Sequence, residues 1–240
     1  MAADKRIRQR MTQGAHRRKS VFPSSEEREQ ERQKKRMAVL ETAASMFCSR
    51  GYTATQMGDV AAELGVTKPT IYHYFKSKDD VLNACFDEGF NLLERSLNEE
   101  GAHRTGAQRL YAVLTAYARC MTQDFGKCTV LVRTSDLDEP GRTRIAAQLR
   151  RFDDRIRSLV TAAVEDGSIA PCDPKIATFT ILGSLNWIAR WHKSDGDLAP
   201  DAIAKAVTDQ LFMGIAPGVG VTTSSGPAAP VGKKKAAKTR

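Results

Sequence analysis

Met57-Gly-Asp-Val-Ala-Ala-Glu-Leu-Gly-Val-Thr-Lys-Pro-Thr-Ile-Tyr-His-Tyr-Phe75 is the stretch on which the fold turns. Position by position it meets the needs of a helix-turn-helix. Ala61 is small where two helices must cross closely. Gly65 accommodates the positive φ that ends the first helix, and Val60, Leu64, Val66 and Ile71 supply a shared apolar core. Thr67 is an N-cap for the second helix. Pro69 falls inside its first turn, where a missing N–H costs little.

A recognition helix turns its N-terminal residues to base edges in the major groove, while flanking side chains and amides hold phosphates. Thr67, Lys68, Thr70 and His73 would then face DNA. Tyr72 and Tyr74 each join an apolar body to a hydroxyl tip, which suits packing with a hydrogen bond to phosphate, and a purely core role fits at least one of them. Lys76 and Lys78 follow as clamps on the backbone, with a place over the start of the next helix as the alternative for Lys78. Thr55 and Gln56 are candidates for the same work at the start of the preceding helix. Lys34, Lys35 and Arg36 lead into the helix before that, where a basic arm would cross phosphates or enter a minor groove. An ordinary solvated face is the alternative for those three cations.

Working outward, Met37, Leu40, Ala44 and Phe47 repeat at helical spacing and are closed by Gly51. Ser77 caps a long helix with Asp79 and Asp80 in its first turn and the stripe Leu82, Phe86, Phe90, Leu93, Leu97. Leu110, Val113, Leu114, Tyr117 and Met121 form the next stripe, and Ile145, Leu149, Phe152, Ile156, Leu159 and Val164 mark a helix from about Gly141 to Glu165. Asp173-Pro174 and Pro200-Asp201 open the last two helices, the second ending near Gly214. Thr129 to Val132 is β-branched but has no partner strand, so it reads as a helical turn or short helix. The expectation is an all-α chain of about nine helices.

The charge is uneven. Residues 1–36 carry twelve Lys/Arg against five Asp/Glu, and residues 217–240 carry five Lys/Arg and no acid, so the total of +9 leaves the body between them at −3. Nucleic-acid contact must therefore come from a local surface helped by a basic arm. The Gly/Pro/Ser/Ala-rich end cannot bury a core. The organisation expected is a flexible basic arm (1–33), a helix-turn-helix domain (34–80), a ligand-binding and dimerisation domain (81–214) and a disordered basic tail (215–240).

Several classes are set aside. The apolar run from Ile176 to Ala189 is broken by Ser184 and Asn186 and stopped by Arg190, short of the roughly 20 residues of a membrane span. The basic N-terminus lacks the apolar region of a secretory signal, which points to the cytoplasm. Five cysteines without a CxxC pair argue against a disulfide framework or a zinc site and read as buried, reduced thiols. Four histidines, no nucleophile elbow and no Gly-rich phosphate loop argue against an enzyme, so no catalytic residue, metal or cofactor is expected. An architectural DNA-binding protein would not need such large apolar helices.

The run AVLETAASMFCSRGYTATQMGDVAAELGVTKPTIYHYFKSKDDVL (38–82) closely resembles the DNA-binding domain of TetR-family regulators in Ala43/Ala44, Phe47, Gly51-Tyr52, Thr55, Ala61, Gly65-Val66, Ile71-Tyr72, Tyr74-Phe75 and Lys78. Met57, Gly58 and Pro69 depart from the more typical residues. The resemblance implies a homodimer on double-stranded operator DNA, joined through the last two helices. It further implies a repressor released from a palindromic operator when a small-molecule effector moves the fourth helix. The apolar helices Ile176–Arg190 and Ala202–Met213 agree, since they want a partner.

The stretch from Asp173 to His192, with Gly196-Asp-Leu-Ala-Pro, is similar to TetR regulators of fatty-acid, aromatic-acid or steroid degradation that respond to acyl-CoA thioesters. The effector expected is an acyl-CoA or a related apolar acid. Tyr117, Met121, Leu182, Asn186, Trp187, Arg190 and Trp191 are the candidate contacts, with Arg150, Arg151, Arg155 and Arg157 as further cations for phosphate. Dimer packing accounts for Trp187 and Trp191 at least as well, and a solvated face for the arginine run.

Overall fold

The structure is a computed structural model that describes residues 24–98 and 105–214. Among them are nine α-helices, one short 3-10 turn and no strand. The basic arm before residue 24 and the tail from 215 onward lie outside the described residues.

Helix α1 (Ser25–Arg50) is 26 residues long. Ser24 and Glu27 form its capping box, each side chain accepting from the other's backbone N–H at 3.1 and 2.6 Å. Gly51, at φ 87°, closes it by donating its N–H to the Phe47 carbonyl. The arm assigned to residues 1–33 is thus corrected: residues 25–33 are the opening turns of α1. Residues 24–35 are all exposed, so no apolar stripe announces them. Local pairs along the helix surface hold them instead, Glu29 with Arg32 and Gln33, and Glu31 with Lys35.

Helices α2 (Met57–Glu63) and α3 (Lys68–Tyr72) follow. Gly65 sits at φ 65°, and the Val66 N–H donates back to the Ala61 carbonyl at 2.9 Å, which makes the sharp turn between them. Val60, Ala61, Ile71 and Phe75 are buried as the core of this unit. Val66, expected beside them, is 39% exposed, because the tight turn carries it outward. Thr67 has the extended backbone of an N-cap, but its hydroxyl pairs with that of Thr70 at 2.9 Å rather than with a helix amide.

Helix α4 (Lys78–Leu97) is capped by Ser77, which accepts from the Asp80 N–H, and it runs from this unit into the body. There follow α5 (Gly106–Cys120), α6 (Asp124–Leu131), α7 (Glu139–Glu165), α8 (Pro174–Trp191) and α9 (Pro200–Met213). The β-branched stretch from Thr129 begins inside α6 and turns extended at Val132. Asp173 caps α8, accepting from the Lys175 and Ile176 N–H groups at 2.8 and 3.2 Å.

Short α6 is the hub: it packs against α1, α4 and α8. Gly89 lets α4 come this close, since a Cβ there would lie 2.5 Å from the Phe125 carbonyl oxygen. One apolar core therefore runs from Val39 in α1 to Ala204 in α9. None of the described helices is long and apolar enough to cross a membrane.

Candidate nucleic-acid interface and effector core

The exposed face of the helix-turn-helix unit is built by burying its underside. Ile71 and Phe75 anchor α3 with no more than 2% exposure, which turns Thr67, Lys68, Thr70, Tyr72 and His73 outward. Lys68 holds its ammonium 5.9 Å from the Tyr72 ring centroid, and His73 stacks edge-on against half-buried Tyr74 at 5.2 Å. Lys76 is exposed, its backbone N–H donating to Asp80 at 3.0 Å. The structure thus brings seven of the expected DNA-contacting side chains to one surface.

Four others are placed differently. Thr55 is fully buried, and its hydroxyl donates to the carbonyls of Met46 and Gly51, fastening the end of α1 to the start of α2. Gln56 is exposed and its backbone N–H donates to Asp59 at 3.1 Å. Lys78 lies over the Tyr52 ring at 4.1 Å, and burial lowers its pKa against the opposing pull of Asp79. That is the alternative position raised for Lys78 from the sequence. Arg36 is half-buried with its guanidinium 4.9 Å from the Phe75 ring centroid.

Lys34 and Lys35 are exposed, but they sit well inside α1 rather than leading into it. With Arg28 and Arg32 they line a cleft of about 620 Å³ that is closed on the other side by His73 and Tyr74. Sequence reasoning missed Arg28 and Arg32, because their stretch lacked an apolar period. The Ser24-x-x-Glu27 capping box was the signal that could have found them.

The expected effector residues separate into two groups. Tyr117, Met121 and Leu182 are buried, and the Tyr117 hydroxyl donates to Asn186 while its ring lies 5.0 Å from that of Phe152. Trp187, Trp191 and Arg190 are on the outside, with Trp187 61% exposed and Arg190 5.8 Å from its ring. A single pocket holding all seven is therefore corrected. The reason is helical phase: Leu182, Leu185 and Ile188 take the inner face of α8, leaving Ile176, Phe179, Trp187 and Trp191 on the outer one.

Near Tyr117 the structure adds one carboxyl that was not singled out. Asp153, next to Phe152, has its carboxyl pushed up by burial; Tyr117 is raised chiefly by its own burial, then by Cys120 and Asp153. Elsewhere on α7, Gln148 Oε1 and Arg157 Nε are buried without a hydrogen-bond partner among the described residues, while the other end of the Arg157 guanidinium donates to Asp154 at 3.1 Å. Arg150, Arg151 and Arg155 are exposed along α7. Of the cysteines, Cys85, Cys120 and Cys128 are buried, but Cys48 is half-buried and Cys172 exposed, so the expectation of five buried thiols is corrected.

Residues 39–85 match the family model of bacterial regulatory proteins, tetR family, and residues 103–215 match the tetracyclin repressor-like C-terminal domain. The chain belongs to the TetR family. Among solved structures, AibR in complex with isovaleryl coenzyme A and operator DNA is 30% identical, with a TM-score of 0.64, and the match covers 74% of this chain and 97% of AibR. The fatty acid metabolism regulator protein of Bacillus subtilis is 25% identical over 187 residues, covering 75% of this chain and 95% of its own. The HTH-type transcriptional repressor KstR2 of Rhodococcus jostii is 26% identical over 192 residues, covering 76% and 91%. These relatives are transcriptional regulators, not enzymes.

Proposed function

We propose that this TetR-family chain is a homodimeric repressor that binds a palindromic operator and leaves it when an acyl-CoA thioester or related apolar acid binds. The observation that carries the reading is the outward polar face of α3, held rigid by buried Ile71 and Phe75. Thr67, Lys68, Thr70 and His73 would reach base edges; Tyr72, Tyr74, Lys76, Gln56, Lys34 and Lys35 would hold phosphates, joined by Arg28 and Arg32. The DNA-binding unit is taken to end near residue 80 and the effector and dimerisation body to occupy 81–214. Work on operator DNA would put the protein in the cytoplasm, and its action would be binding rather than catalysis.

The dimer would form across the outer faces of α8 and α9, where Ile176, Phe179, Trp187, Phe212 and Met213 stand exposed. Gly183 lies in open space in the middle of that stripe and leaves room for a second helix to approach closely. The effector would bind beside Tyr117, Phe152 and Asn186. AibR's complex with isovaleryl coenzyme A supports the ligand class.

Selection of a binding sequence from a random duplex library, then anisotropy titration of the selected duplex, tests the reading. A two-fold symmetric site whose complex is dissolved by isovaleryl-CoA or a longer acyl-CoA, and not by free CoA, supports it. Selection of no sequence would remove the DNA reading, and indifference to every thioester would remove the effector.

A further inference from the structure

We infer that Cys48 and Cys128 form an oxidisable dithiol, which a hydroperoxide converts to a disulfide tying the first helix of the DNA-binding unit to the effector body. The two Sγ atoms, 80 residues apart in sequence, lie 3.3 Å from each other across the contact of α1 with α6. A disulfide brings its sulfurs to about 2.05 Å, a contraction of about 1.3 Å.

The surroundings assign different roles to the two thiols. Cys48 is half-buried and lines a cavity of about 310 Å³ with Ser45, Asp124, Lys127 and His192. A hydroperoxide is small enough to enter. Cys128 is buried, and the hydrogen bond with Cys48 together with burial pushes its thiol well up. Cys85, the third thiol at this junction, is raised by its own burial and donates to the Leu40 carbonyl at 3.7 Å, so it is a poor competitor.

Cys48 therefore reacts first. Its sulfur loses its proton and attacks one peroxide oxygen; the O–O bond breaks, an alcohol or water leaves with a proton, and Cys48 becomes a sulfenic acid. Cys128 then attacks that sulfur as the S–O bond breaks, its own proton leaving with the hydroxyl as water. Two thiols are oxidised by two electrons and the peroxide is reduced by two.

The consequence follows from position. Cys48 stands three residues before Gly51, at the end of the helix on which α2 is fastened, and Cys128 sits in α6 among α1, α4 and α8. A covalent tie here prevents α1 from shifting on α6 and fixes the spacing of the two recognition surfaces in a dimer. The regulatory consequence rests on the proposed DNA reading, whereas the covalent step does not.

The test treats the reduced full chain with a few equivalents of hydrogen peroxide, then maps its peptides and titrates the duplex selected by the reduced protein. A Cys48–Cys128 linkage within one chain is expected, with operator affinity changed about tenfold and restored by dithiothreitol. Cys48→Ser and Cys128→Ala should form no such linkage and lose the redox response. Cys48→Ser, at a half-buried site, keeps the test open if Cys128→Ala fails to fold. Oxygen added to Cys48 without a linkage, a bond only between Cys172 residues of two chains, or equal affinity before and after linkage would overturn the proposal. A reduced protein that selects no sequence would sink the DNA reading and with it the switch, while the peptide map still decides the dithiol.

Discussion

The Lys78 ammonium lies 4.1 Å from the centroid of the Tyr52 ring, and the same tyrosine's hydroxyl donates to Asp79. The first turn of α4 is thus clasped to the corner that follows α1, with Tyr52 itself edge-on to Phe47 at 5.2 Å. Two lysines that look alike as candidate phosphate contacts are in different physical states, since Lys76 is exposed just after α3 and Lys78 is engaged at this corner.

Salt dependence separates them. Lys76→Ala should weaken operator binding and lower the slope of log affinity against log salt by about one, as expected for the loss of one phosphate contact. Lys78→Ala should leave that slope unchanged and instead cost about 0.5–1 kcal/mol of stability through the lost cation–π contact. Anisotropy at several salt concentrations and a thermal melt decide both. A full unit of slope lost in Lys78→Ala would return that residue to the DNA.

Thr55→Val keeps the shape of the side chain but removes the hydroxyl that donates to the Met46 and Gly51 carbonyls. The expected cost is about 1–3 kcal/mol of stability, with little change in operator affinity at temperatures where the variant is folded. Paired denaturation and binding curves check it. Weaker binding at unchanged stability would mean that Thr55 touches DNA after all.

Phe179→Asp places a charge on the outer face of α8, at a residue 51% exposed in the single chain. Sedimentation should show a monomer, and operator affinity should drop by at least a factor of ten, since each chain then holds only one half-site. An unaltered dimer would move the interface elsewhere.

His192 is buried, and burial lowers its pKa below 6.5, with Lys127 acting the same way and Asp124 opposing. The unfolded chain therefore binds the proton more readily than the folded one. Its contribution to stability is complete above the unfolded pKa and is lost as pH falls toward the depressed folded value. Melting temperature should decline between pH 7 and 5.5 in the parent and decline less in His192→Gln. Identical pH profiles would show that His192 is not the titrating group.

What the sequence made legible was whatever repeats or punctuates. The α3 anchors Ile71 and Phe75, the caps Ser77 and Asp173 and the turn at Gly65 carry local signals that tertiary contacts do not override. The errors fall where a residue's type does not reveal its orientation. Thr55 and Val66 traded places, the polar residue going inside and the apolar one outside, because turn geometry and not hydropathy sets their direction. Trp187 and Tyr117 were grouped by chemistry, yet belong to opposite sides of α8. The Cys48–Cys128 contact joins residues whose proximity only the assembled core creates.

The unbroken course of α1 turns sequence spacing into angular phase. Arg28, Arg32 and Lys35 recur at intervals of four and three along the same azimuth as buried Val39, Ala43 and Met46, so the core aims them from below. Inserting a single residue near position 37 would swing the whole basic row by about 100° around the rod, away from His73 and Tyr74, without altering one charge. For this chain, the length of the polar shaft is as much a determinant of what its cations can reach as their number.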